Sequence, residues 1–233
     1  MCGRTTLTNQ RLEDIAEQLD AELSPEDLAL YKPRYNVAPS DTTWIAVSRG
    51  DARVVQPAVW GYIASKDRPR PLVNVRGEQV ASGAGFREAF ASRRCAVVTD
   101  GFYEWPPASG PRAAPRAPYW FHRPDGGLVL LAGLFHGAPA EAPARPRFTI
   151  LTTRPNAVVA RVHDRMPVVL PQQRLDEWLA GPAARAKSLI APAPEDWLIA
   201  TRVSRHANSP RNDDPACLAP ATQADEDPQR SLF

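Results

Sequence analysis

Apolar positions spaced three and four apart first appear between Asn9 and Leu19, where Leu12, Ile15, Ala16 and Leu19 share one helical face and Asn9 offers an N-cap. Downstream the pattern changes to the short apolar runs and two-residue alternation of strands. Thr43–Val47 and Arg53–Val55 read as strands on either side of the turn Arg49-Gly50-Asp51, running on toward Trp60-Gly61-Tyr62. In Leu72–Glu78 the alternation puts Asn74, Arg76 and Glu78 on one face and Val73 and Val75 on the other. A short helix at Phe86–Phe90 precedes an apolar strand at Arg93–Val98. Further strands are predicted at Tyr119–Phe121, Leu128–Leu134 and Phe148–Thr152, with Asp125-Gly126-Gly127 as a hairpin turn. Helical spacing returns at Asn156–Val162, Gln172–Leu179 and Glu195–Ile199. Three stretches carry no period: Pro33–Ser40, where two prolines and Asn36 predict a stiff loop, the Pro/Ala/Arg-rich Pro107–Pro118, and the dense turn His206–Pro215. No internal repeat is visible, and no domain boundary falls before residue 218.

Composition narrows this picture. With 233 residues, 43% of them apolar, the chain can bury one sizeable core. No apolar run reaches membrane-spanning length and the N-terminus lacks a signal-peptide layout, so a soluble cytoplasmic protein is expected, without membrane contact. Cys2, Cys95 and Cys217 are odd in number and widely spaced, which indicates reduced thiols and neither a disulfide framework nor a zinc site. The net charge of +2 does not by itself call for a nucleic-acid partner. Of the 28 basic residues only Lys32, Lys66 and Lys187 are lysine. Arginine suits bidentate phosphate contacts, but a GC-rich genome writes the same Arg/Ala/Pro bias into any protein.

Reactive chemistry concentrates first at Met1-Cys2-Gly3-Arg4. An initiator Met before a small residue is normally trimmed, and Cys2 would then carry an α-amine and a thiol two carbons apart. Such an amine has a reference pKa of about 7.7–8.0 against about 10.4 for lysine, so far more of it is free base at neutral pH. A frayed terminus explains these four residues equally well. In Asn74, Arg76 and Glu78 an amide, a guanidinium and a carboxylate would point into one space, although solvated strand faces commonly look like this. Glu104, inside Phe102-Tyr103-Glu104-Trp105, is a carboxylate among aromatics, the setting that raises a pKa toward neutrality, or else a surface glutamate between core rings. His163, set in His163-Asp164-Arg165-Met166-Pro167 after a helical segment, is the histidine best placed for proton transfer; His122, His136 and His206 lack such a setting.

Taken together, Met1–Arg4, Arg34–Pro39, Asn74–Glu78, Cys95–Trp105 and His163–Pro167, followed by Asn208–Asp213, resemble the SRAP (SOS response-associated peptidase) family, abasic-site-processing proteins that crosslink to single-stranded DNA. The resemblance implies an α+β fold with a barrel-like antiparallel core and flanking helices, in one domain over residues 1–218. It implies that Cys2 is the nucleophile, its amine forming a Schiff base with the aldehyde of an abasic sugar and its thiol closing a thiazolidine. It implies that Asn74 holds the sugar or the terminal amine, that Glu104 is the acid/base, and that His163 protonates the sugar ring oxygen. Arg4, Arg76 and Arg165 would grip phosphates, while Asn36, Pro39 and Trp105 would line the strand or cap neighbouring duplex. Neither metal nor organic cofactor is implied, and a monomer, nucleoid-associated when bound to DNA, is expected. One departure concerns Trp60-Gly61-Tyr62-Ile63-Ala64-Ser65-Lys66, which lacks a second tryptophan common in the family and so one base-stacking contact.

Three rival activities fit parts of the pattern: an N-terminal-nucleophile glutamine amidohydrolase, a cysteine peptidase using Cys2, His163 and Glu104, and a plain single-strand-binding module. Abasic-site lyase turnover and self-removal of Met1 are compatible with the crosslinking chemistry. Residues 219–233 read as a disordered acidic tail, and its ending, Gln229-Arg230-Ser231-Leu232-Phe233, resembles the peptide by which bacterial proteins dock on the replicative sliding clamp, Gln229, Leu232 and Phe233 being the contacts.

Overall fold

A computed structural model describes residues 2–63, 71–83, 85–107, 116–137, 145–222 and 225. The chain opens with β1 (Thr5–Leu7), α1 (Leu12–Gln18), α2 (Pro25–Leu28), β2 (Arg34–Val37), β3 (Thr42–Arg49), β4 (Ala52–Trp60) and β5 (Asn74–Arg76). There follow α3 (Gly77–Val80), α4 (Arg87–Ser92), β6 (Arg94–Val97), β7 (Gly101–Glu104), β8 (Tyr119–His122), β9 (Leu131–His136) and β10 (Arg147–Thr153). The last elements are α5 (Ala157–Ala160), β11 (Met166–Pro167), α6 (Leu175–Leu179), α7 (Ala183–Ser188) and β12 (Ile199–Arg202). None of the helices among the described residues is long and apolar enough to cross a membrane.

The strands form two sheets. One has the order β12-β8-β7-β1-β2 and is antiparallel throughout. In the other, β10 pairs with β4 on one side and β9 on the other, so β10-β4-β3-β6-β9 closes on itself as a five-stranded barrel, with β5 and β11 added along β10. The α+β, barrel-like expectation is borne out, with one refinement: β10 runs parallel to β4 and β5, so the barrel is mixed. Alternation gives its strands two buried faces. Ile45, Val47, Val97, Leu131, Phe148 and Ile150 pack with Phe102 and Phe121 of the first sheet and with Cys2. Trp44, Ala46, Ala96, Ala132 and Leu151 pack with Leu12, Ile15 and Leu19 of the α1 region and with Trp178 of α6.

Several predicted elements shift for identifiable reasons. Helix α1 begins at Leu12, not Asn9; the Asn9 side chain instead accepts from the Arg11 N–H at 2.9 Å in the turn before it, and all four predicted core residues are buried. The proline-flanked loop contains β2, because Pro33 and Pro39 lie just outside it and remove no ladder donor. The Leu72–Glu78 strand stops at Arg76, and Glu78 belongs to α3. Val73, just before β5 begins, and Val75 within it pack against different core clusters. The helical pattern at Glu195–Ile199 resolves into one 3-10 turn, Glu195–Trp197, and the start of β12. The boundary at 218 also moves: Pro220 bridges Val203, the Ala221 N–H donates to Arg202 O at 3.3 Å, and Asp225 accepts from the Arg205 N–H at 3.1 Å. Met1 and the clamp-type ending Gln229, Leu232 and Phe233 lie outside the described residues.

Candidate functional site

Strand β1 is an interior strand of its sheet, between β2 and β7, and the residues before it continue alongside β7. Tyr103 N–H donates to Arg4 O at 3.0 Å, which draws the Cys2-Gly3-Arg4 segment past Glu104 and Trp105. From the barrel side, β5 pairs with the middle of β10, Asn74 opposite Ile150, and Asn74 Nδ2 donates to Cys2 O at 2.6 Å. The amide oxygen Oδ1 of Asn74 is buried with no hydrogen-bond partner among the described residues. Cys2 itself is fully buried, its Sγ 4.0 Å from Arg4 O. Burial first, and the negative charge of Glu104 second, hold its thiol well above the ordinary range, so it stays a thiol rather than a thiolate.

Glu104 ends β7 and is 3% exposed. Desolvation pushes its carboxyl up to about 7; the positive amino terminus opposes that rise and Asp164 adds to it. His163 follows α5, whose Asn156 N-cap accepts from Val159 N–H at 3.0 Å, and its own N–H donates to Val159 O at 2.9 Å. Burial, then the amino terminus, lowers the His163 pKa. Two contacts meet on its Nδ1: the Arg165 N–H at 3.0 Å and an Asp164 carboxylate oxygen at 3.0 Å. They require opposite protonation states of that nitrogen. A neutral ring that accepts from Arg165 at Nδ1 carries its proton on Nε2, whereas one that donates to Asp164, whose side chain is 89% exposed, carries it on Nδ1. The four expected reactive residues are thus linked by a direct bond, Asn74 to Cys2, and by mutual electrostatic influence among Cys2, Glu104 and the His163-Asp164 segment.

The expected DNA-contacting residues fall into distinct situations. Arg76 is exposed at the end of β5, Cα-paired with Thr152, and Pro39 is half-buried just after β2. Arg4 is half-buried and donates through Nη1 to Asn36 Oδ1 and Ala207 O, both at 2.9 Å, while its guanidinium carbon lies 5.8 Å from the centre of the Trp105 ring. The Trp105 indole N–H donates to Asn208 Oδ1 at 2.7 Å. Asn36 is a correction: it is fully buried, and its Nδ2 faces Ala207 O, Ser209 O and Asn212 O at 2.8–3.1 Å, so it braces the wall from inside instead of lining a strand. Arg165 is engaged with Glu78 in a two-pronged ion pair.

The Asn208–Asp213 turn therefore builds one wall of the site, with Asp213 Oδ1 accepting from the Tyr35 and Asn36 N–H groups at 2.7 and 2.9 Å and Oδ2 bonded to Arg34. Its structural role, and that of Thr152 beneath Arg165, has no periodic signal in the sequence; the only hint is the density of Asn and Asp in a turn. Behind this wall His206, Asp214 and Cys217 bring ligand-type atoms within 4.8 Å of one another. The His206 ring is already bridged, with Nε2 3.0 Å from Asp214 Oδ2 and Nδ1 3.2 Å from Asn212 Nδ2, so it ties the turn together.

The architecture is shared with solved proteins. A Bacteroides thetaiotaomicron protein superposes with a TM-score of 0.80 over 95% of this chain and 100% of its own, at 21% identity. A phage-related protein of Bordetella bronchiseptica gives 0.69 over 87% and 94%, at 30% identity. Among sequence relatives, the abasic site processing protein YoqW of Bacillus subtilis is 34% identical over 230 residues, 94% of this chain and 99% of its own. The abasic site processing protein HMCES of Gallus gallus is 28% identical over 94% of this chain and 78% of its own. Residues 1–210 match the family described as SOS response associated peptidase. On that match, nearly the length of the folded chain, this protein belongs to the SRAP family.

Proposed function

We infer that the protein captures abasic sites in single-stranded DNA by forming a covalent link through Cys2 once Met1 has been removed. The support is the setting of Cys2: its carbonyl is held by Asn74 beside a carboxyl pushed up to about 7. The freed amine adds to the C1′ aldehyde of the ring-opened sugar, and loss of water gives an imine. The Cys2 thiol then adds across the imine, sulfur to carbon and proton to nitrogen, closing a five-membered thiazolidine. Because the thiol keeps its proton until then, the amine attacks first. Glu104, able to hold or release a proton near neutrality, carries protons to and from the carbinolamine oxygen. The neutral His163 ring offers its Nε2 proton to the sugar ring oxygen during opening. Asn74 Oδ1 accepts from the terminal amine or a sugar hydroxyl. Arg76 and Arg4 provide positive charge along the strand.

Lyase turnover and reversal of the link belong to the same reading, since each passes through the imine with Glu104 carrying the proton; a peptidase-like removal of Met1 comes before them, water hydrolysing the Met1–Cys2 amide to release methionine and the free Cys2 amine. The tail ending Gln229-Arg230-Ser231-Leu232-Phe233 brings the protein to the sliding clamp. The deciding experiment is mass spectrometry of the mature protein after mixing with uracil-excised single-stranded DNA. The expected product has lost Met1 and gained the oligonucleotide mass less one water. Cys2→Ala should give none, whereas a protein that retains Met1 and still links to the DNA would refute the mechanism.

A further inference from the structure

The His163 segment is held from a distance. Gly77, the first residue of α3, packs so closely that a Cβ there would lie 2.5 Å from Ile190 Cγ2 and 3.2 Å from Thr152 O, so only glycine lets α3 begin against β10. That approach sets Glu78 over the end of β10. Its two carboxylate oxygens accept from Arg165 Nη1 at 3.0 Å and Nη2 at 2.9 Å, and Nη2 also donates to Thr152 O at 2.7 Å. This fork-to-fork geometry fixes both position and plane of a guanidinium. The Arg165 side chain is only 17% exposed, and the hydrogen bond from Arg165 keeps the Glu78 carboxyl below its ordinary range, so the pair is ionised and neutral overall. Immediately after Arg165, Met166 and Pro167 pair with Thr153 and Thr152. Residue 165 is thereby anchored at its side chain and through its neighbours, and its N–H is the donor that fills His163 Nδ1 at 3.0 Å.

We propose that Glu78 is a positioning residue for His163: by locking Arg165 it holds the backbone N–H that keeps the ring proton on Nε2. The other charged groups acting on this ring are Asp164, whose carboxylate competes for Nδ1, and the amino terminus, with Glu104 in the same electrostatic group. Without the brace, the exposed Asp164 carboxylate gains the upper hand at Nδ1 and draws the proton to the wrong side of the ring.

The inference rests on the crosslinking role assigned to His163, and its test separates the two. Nitrogen-15 NMR of the ring, in protein without DNA, should show a single Nε2–H form in wild type and a mixture of both tautomers in Glu78→Gln. Arg165→Lys keeps the charge but not the fork, so it should show the same mixture and serves if Glu78→Gln does not fold. With abasic single-stranded DNA, the single-turnover adduct rate of Glu78→Gln should fall about tenfold with a displaced pH profile, part of the 10²–10⁴-fold that a placed acid contributes. Affinity for undamaged single strands should change less than threefold. An unchanged tautomer in both variants overturns the proposal, and so does an adduct defect fully explained by weaker binding to undamaged DNA. A wild-type protein that forms no adduct would instead defeat the functional reading and leave the NMR result to decide the brace.

Discussion

Glu104 is a carboxyl held almost out of water, and its linkage to stability has a definite sign. Its folded pKa of about 7 lies above the unfolded value, so between roughly pH 4.5 and 7 the folded state keeps a proton that the unfolded chain gives up. Stability therefore falls as pH rises through that window. Glu104→Gln should match wild type at pH 4 and exceed it at pH 8 by about 3 kcal/mol in denaturant melts, while losing at least about 100-fold in adduct rate. A glutamate among aromatics was legible as a proton-transfer candidate because desolvation follows from its immediate neighbours. Asn36 was not, because its burial is decided by Asn208–Asp213, some 170 residues away, and no local pattern encodes that contact.

At the level of elements, the strands that could be read were those with their own apolar pattern, such as β3, β6 and β10. The ones missed, β1, β2, β7, β11 and β12, are two to four residues long and exist because a neighbour supplies the ladder. The joints between elements are equally nonlocal. Arg94 in β6 is 3% exposed and donates to Phe90 O and Ala91 O at the end of α4 and to Trp178 O and Gly181 O at the end of α6. One guanidinium thus satisfies the last carbonyls of two helices. Arg94→Met should leave those carbonyls buried without donors and lower the unfolding free energy by about 3 kcal/mol or more, measurable in urea. Nothing in the sequence around Arg94 distinguishes it from Arg93 beside it, whose side chain pairs with exposed Glu88.

For the molecule as a whole, the proposed functions of capture and recruitment fall to separate parts of the chain. The residues proposed to react come from β5, β7, the segment before β1 and the segment after α5, all within the folded unit. Deleting Gln229–Phe233 should therefore leave the adduct rate on a short abasic oligonucleotide within twofold of wild type and abolish retention on immobilised sliding clamp. Unchanged clamp retention would remove the recruitment role from the tail. The overall organisation was readable only because motifs spread over nearly the entire chain matched one family. The reason they converge is topological, since the closed barrel brings β5 against β10 and the other sheet brings β1 against β7.

The place of β1 carries a mechanical consequence. It is hydrogen-bonded on both sides, to β2 and to β7, and it begins three residues after Cys2. A motor dragging on DNA joined to Cys2 would tug this strand lengthwise, loading two ladders in shear at once. Pulling the polypeptide off its cargo would require tearing an interior strand out of a sheet, which would make the proposed attachment a strong anchor against passing enzymes.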